Sequence, residues 1–107
     1  MTWYHYRQNN SGGNFVGPIN VIVEADSAEH ADVRAQDVAG IYFDGIAAGR
    51  DCGCCGNRWY RATSYNGEDF PHVCGEPVAE AMENEPSTWL GGSTTPMIYP
   101  MDKASAN

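Results

Sequence analysis

The period of apolar and polar positions changes along the chain, and each change predicts an element. Residues 2–8, TWYHYRQ, are dense in aromatics, and residues 18–25, PINVIVEA, set Ile19, Val21 and Val23 in alternation with Asn20, Ile22 and Glu24. A period of two among β-branched and aromatic residues is the pattern of a strand with one face on a core. Between them NNSGGN, residues 9–14, supplies Asn and Gly, which tolerate positive φ. The two strands are therefore expected to pair antiparallel across a loop longer than the two-residue minimum.

The period then becomes helical. In DSAEHADVRAQDVAG, residues 26–40, Asp26 and Glu29 match a capping box and Gly40 stands where a helix stops. Ala28, Ala31, Ala35 and Val38 fall on one face, small enough to lie close against a sheet. IYFDGIAAG, residues 41–49, is a short apolar run broken by an Asp-Gly turn, and RWYRATSY, residues 58–65, reads as a third strand. Beyond Gly75 the regular pattern ends, and Pro77, Pro86, Pro96 and Pro100 follow among Gly-Gly and Ser-Thr-Thr runs. A short helix at 77–84 is expected, then an extended arm carrying Trp89, Met97, Ile98 and Tyr99. The expected architecture is α+β: a small antiparallel sheet of three to four strands, one packed helix, a metal- or cysteine-stapled loop and an extended C-terminal arm. Residues 1–75 form the compact domain in this reading. Residues 76–107 form a Pro/Gly-rich extension that packs on the domain or on a neighbouring subunit.

Composition narrows the classes. A chain of 107 residues holds one core, and 12 glycines with only 19% charged residues predict many turns around it. A metal site would be a useful staple there. The formal charge is -8, from 6 Lys plus Arg against 14 Asp plus Glu, and the basic residues are scattered. Nucleic acid needs clustered cations to replace phosphate counterions, so it is not an expected partner. Acidity suits solubility or a basic partner surface. No window approaches the roughly 18 apolar residues of a membrane span, so no membrane partner is expected. MTWYHYRQNN lacks the basic region and apolar run of a secretory signal, so a cytoplasmic setting with reduced thiols is expected.

The chemistry concentrates in RDCGCCGNRWY, residues 50–60. Cys52-x-x-Cys55-Gly has the form of a zinc knuckle, because two cysteines three apart on a tight turn can aim both sulfurs at one ion. His72 and Cys74 of PHVCG offer two further ligands, and Cys54 could take the place of His72. Structural zinc is the leading expectation. The alternatives are thiols that bind no metal, a Cys52–Cys74 or Cys55–Cys74 disulfide, and an iron–sulfur cluster. Two catalytic readings stand beside them: Cys54 paired with His5 or His72 as a nucleophile, and a catalytic zinc with Asp51 or Glu76 as base. A second candidate site is HYRQNNSGGN, where Arg7 and the amides around Gly12 and Gly13 could form an anion nest, with Gln8, Asn9 and Asn10 reading a polar group. Its plainer reading is a hairpin connection. GxGxxG and Walker patterns are lacking, so no nucleotide fold is indicated.

With YHYRQNNSGG, VIVEADSAEHAD, IYFDG and GRDCGCCGNRWY following one another over roughly residues 3–62, the chain resembles an uncharacterised family of small tailed-bacteriophage proteins, mainly from phages of actinobacteria. The resemblance implies a phage origin and a location in the host cytoplasm during infection, or alternatively in the virion. It carries over no catalytic residues. It also implies that a tyrosine stands in other members where Cys74 stands here, which would leave Cys52, Cys54 and Cys55 to share an ion with a histidine such as His5, or to bind none. The expected function is that of a noncatalytic, zinc-stapled phage accessory protein binding a host or phage protein, with inhibition of a host defence or regulatory factor as one version. Alternatives are a virion structural protein, as capsid decoration or connector, and a small-molecule or nucleotide-binding protein. A homo-oligomer would form through the C-terminal arm.

Overall fold

The computed structural model describes residues 2–9, 15–51, 53, 56–83, 85, 86 and 88–101. In chain order the elements are β1 (Thr2–Arg7), β2 (Gly17–Pro18), β3 (Asn20–Ala25), α1 (Ala28–Ala39), a 3₁₀ turn (Ser64–Asn66), β4 (Gly67–Glu68), β5 (His72–Val73), β6 (Glu76–Pro77), α2 (Val78–Ala81), β7 (Thr88–Trp89), β8 (Gly92–Ser93) and β9 (Met97–Tyr99). This is a small α+β domain with mixed sheets and two helices. No helix among the described residues is long and apolar enough to cross a membrane.

Strands β1 and β3 pair antiparallel along their whole length, from Thr2 opposite Ala25 to Arg7 opposite Asn20. The Gln8 amide donates to Ile19 O and carries the pairing one residue further, toward the loop. The register sets Tyr4 against Val23 and Tyr6 against Val21. Aromatic and β-branched pairs of this kind are the stabilising unit of a sheet face. That face takes α1, whose Ala31 and Ala35 are fully buried in one cluster with Tyr4, Tyr6, Val21, Val23, Ile41 and Trp59. Small side chains let the helix axis approach the sheet closely. Val38, expected on the same face, is exposed, and Ala39 packs in its place. The N-cap is Ser27, whose hydroxyl accepts from the His30 amide, rather than Asp26. Gly40 closes the helix at φ 67, a left-handed position that costs glycine nothing.

The expected third strand over residues 58–65 does not form. Trp59 enters the core, and the Ala62 amide donates to the Asp32 carboxylate instead of a ladder carbonyl. Tyr6 Oη donates to the same carboxylate oxygen at 2.7 Å. Burial and this bond push the Tyr6 hydroxyl far above the ordinary tyrosine range. Beside β1 the edge is taken by the two-residue β4.

The described residues between Gly75 and Met101 are woven into the fold. Strand β9 pairs parallel with β3, giving a mixed sheet in the order β4-β1-β3-β9, and β8 pairs parallel with β2 and antiparallel with β7. Arg34 clamps this return: its Nε donates to Glu24 O, and its Nη2 to Tyr99 O and Pro100 O. The expected short helix is a single turn, Val78–Ala81.

Replacing Arg34 with Ala removes all three bonds, and the expected loss is about 2 kcal/mol of stability, since a hydrogen bond contributes roughly 0.5–1.5 kcal/mol after its competition with water and the bond to Pro100 O is exposed. A lower urea midpoint, with amide exchange at Met97–Tyr99 accelerated more than at β1, is the result that checks the clamp.

Candidate functional site

Alternation sends Trp3, His5 and Arg7 of β1, with Asn20, Ile22 and Glu24 of β3, to the face opposite α1. This second face is also covered. His5 is 9% exposed, Asn20 3% and Ile22 0%, with the β5–β6 hairpin packed above them. The hairpin turns through Cys74 and Gly75, at φ 53 and 87. Positive φ at both central residues is the type I′ pattern, which usually takes Asn or Gly first.

Buried polar groups must find partners, and the pairing here sets both histidines in one tautomer. The Cys74 amide donates to His5 Nδ1 at 3.1 Å, so the proton of that ring is on Nε2, which donates to Asn20 Oδ1 at 2.7 Å. The Gly75 amide donates to His72 Nδ1 at 2.8 Å, so His72 Nε2 carries the proton and donates to Trp3 O at 3.1 Å. Cys74 Sγ lies 3.8 Å from His5 Nδ1, and the two imidazoles meet edge to face with centroids 6.0 Å apart. Burial holds the His5 pKa below its ordinary value; the bond to Asn20 opposes this, and the charges of His72 and Arg7 add to it.

Of the residues singled out in the sequence, His72 and Cys74 meet here, together with His5. Both His72 nitrogens are engaged by backbone groups, so a metal at His72 would have to displace one of them. Arg7 lines a cavity on this face, and its Nη1 lies 3.5 Å from Asn20 Oδ1. Asn9 is turned elsewhere: its amide donates to Arg58 O and its Nδ2 to Asn57 O. Cys52, Cys54, Cys55, Asn10, Gly12 and Gly13 lie outside the described residues. The flanks of the cysteine stretch are held on the α1 side, where buried Asp51 accepts from Tyr42 Oη and from the Arg58 amide, and Asn57 Oδ1 accepts from Ile46 N. Cys74 is anchored to the opposite face. Among the described residues no three His, Cys, Asp or Glu side chains gather as a group that could hold a metal ion.

Asn20 is the residue that sequence reasoning passed over. A signal for it existed, because the β1–β3 register makes it the diagonal neighbour of His5 on one face. A groove of about 390 Å³ runs beside the site, lined by Arg7, Ile19, Val73, Cys74, Glu76, Met82, Glu85 and Trp89 among others. The β7–β8 hairpin borders it and turns through Leu90 and Gly91, at φ 46 and 87. Trp89 and Leu90 are 54% and 48% exposed. A smaller cavity, about 280 Å³, opens on the His5 side of Cys74.

The fold and site define a small α+β protein with a two-sided sheet and a groove beside a histidine–cysteine cluster. The chain belongs to the family described as "Domain of unknown function (DUF7296)", whose model matches residues 1–106. No curated protein and no solved structure matches it.

Two outcomes test the site's hydrogen bonding. A histidine whose folded pKa is depressed binds fewer protons folded than unfolded. Its contribution is therefore present above the unfolded value of about 6.5 and declines as pH falls below it, toward the lowered value. Urea unfolding between pH 8 and pH 5 should show this decline, and His5→Gln should flatten it. His72→Ala leaves the Trp3 carbonyl and Gly75 amide without partners and should cost roughly 2–4 kcal/mol. That difference from the wild type should be the same with and without a chelator.

Proposed function

We propose that this chain is a protein-binding module whose groove takes an apolar side chain from a basic segment of a partner. The observation that carries the reading is Leu90. A branched side chain at φ 46 costs roughly 1–2 kcal/mol relative to glycine or asparagine, and strain of this kind persists where a surface uses it. The backbone is held there by the Phe15 amide, which donates to Leu90 O at 2.9 Å. Leu90 directly follows Trp89, which lines the groove, and both are exposed. Aromatic anchors beside a concave apolar surface are what concentrated binding energy requires.

Charge selects the partner. Glu76 and Glu85 face the groove against one guanidinium, that of Arg7, on a chain of formal charge -8. Complementary potentials of this sign speed encounter with basic surfaces and repel acidic ones. With the resemblance to phage proteins, the partner is a host or phage protein and the chain an accessory factor.

Selection from a displayed random-peptide library, with counter-selection on Trp89→Ala, tests this. Enrichment of peptides with an apolar residue flanked by Lys or Arg is expected. No enrichment over the Trp89→Ala protein would overturn the reading. Leu90→Asn separates strain from binding: stability should rise by about 1 kcal/mol while affinity for the selected peptides drops.

A further inference from the structure

The cluster above β1 has a second property, on the side of Cys74 that faces His5 rather than the groove. Cys74 Sγ lies 3.8 Å from His5 Nδ1, and His5 Nε2–H is held at 2.7 Å by the buried Asn20 Oδ1. Thiol, imidazole and amide thus stand in the order nucleophile, base and orienter. That arrangement is recognised by its geometry on unrelated folds, whatever the chain order. The thiol is exposed at a hairpin tip, while the imidazole and amide behind it are shielded from water. The cavity on this side is lined by His5, Tyr65, Glu68, His72, Cys74 and Gly75, so a ligand within it meets the sulfur and the imidazole together. Its volume of about 280 Å³ suits a small acyl group. Glu68 is the carboxylate in the lining, which favours neutral or cationic acyl groups over anionic ones.

We propose that Cys74, His5 and Asn20 form a thiol acylation site for small neutral or cationic esters. The thiol proton passes to His5 Nδ1 as sulfur bonds to the carbonyl carbon. The carbon–oxygen bond to the alcohol then breaks, and His5 returns the proton to the departing oxygen. A thioester on Cys74 remains. Water hydrolyses it to the carboxylic acid and restores the thiol. Once Nδ1 is protonated it can no longer accept the Cys74 amide, and the thiolate 3.8 Å away faces the imidazolium in its place. Asn20 is a positioning residue that keeps the ring in the tautomer with Nδ1 unprotonated.

The test uses 4-nitrophenyl acetate on the full chain under reducing conditions, quenched in acid at early times. Peptide mass mapping reads the acetyl group at each cysteine, with glutathione as the reference thiol. Acetylation of Cys74 more than ~10-fold faster than that of glutathione is expected, and any smaller ratio overturns the proposal. This comparison needs no variant, so it decides the matter even if a substitution impairs folding. His5→Gln should slow Cys74 acetylation roughly 100-fold, within the range typical of general-base assistance, and an unchanged rate would overturn the role given to His5. Asn20→Asp keeps an acceptor for Nε2–H and should retain the rate, whereas Asn20→Leu should lose it. Equal rates in these two would reduce Asn20 to a packing residue and remove it from the site. Acetylation is read with no peptide present and peptide binding with no ester, so failure here and failure of peptide binding are separable.

Discussion

Strand β3 is covered on both faces, and every polar group under the second cover has to be paired within the protein. An unpaired buried amide or imidazole costs about as much as several good contacts supply, so the cover can close only where partners exist. His5 and Asn20 satisfy each other across the β1–β3 register, and the Cys74 amide completes His5. His72 joins the Trp3 carbonyl to the Gly75 amide. Gln8, 2% exposed, donates to Val16 O and Pro18 O and accepts from Val16 N and from Arg58 Nη1, which fastens the segment that pairs with β8. These bonds locate the β5–β6 hairpin over the sheet. The thiol of Cys74 and the edge of the groove follow from that placement.

Both hairpins that border the groove turn through an unusual residue. Cys74 and Leu90 occupy left-handed positions that Asn or Gly would hold without strain, each followed by a glycine that accepts the same region freely. In each case a long-range bond holds the backbone there, from Cys74 N to His5 and from Phe15 N to Leu90 O. Gly92, just past the second turn, packs so closely on Phe15 and Ile19 that a Cβ would collide with both. Strain and anchoring are thus local, and they fall where the molecule displays a thiol on one tip and an apolar side chain on the other.

The arginines explain the character of the outer surface. Arg34 spans the carbonyls of β3 and the C-terminal strand, Arg58 meets Gln8 and Asp51 across the cysteine stretch, Arg61 pairs with Asp44, and Arg50 lies 3.7 Å over the Tyr42 ring. Much of the small cationic complement goes into internal bonding, Asp51 and Asp44 included, and the formal charge of -8 sets the field. A basic partner surface therefore meets little local competition, though screening by salt limits the range of the attraction.

Local pattern alone determined the β1–β3 pairing, helix α1 and its Gly40 stop, because alternation, helical spacing and capping are short-range properties of neighbouring residues. Even there the cap went to Ser27 rather than Asp26, since a serine hydroxyl one position on reaches the His30 amide. Tertiary structure decided the rest. Residues 58–65 carry strand-like composition, yet Asp32 from the helix captures the amide of Ala62, and Trp59 gains more from the core than from a ladder. Within the 76–107 extension, β8 and β9 have no period to detect because they are two and three residues long, and they form only when β2 and β3 offer them edges. The same holds for the site. His5, Asn20, His72 and Cys74 are spread over 70 positions of chain and acquire a common chemistry only where the second cover folds back over β1.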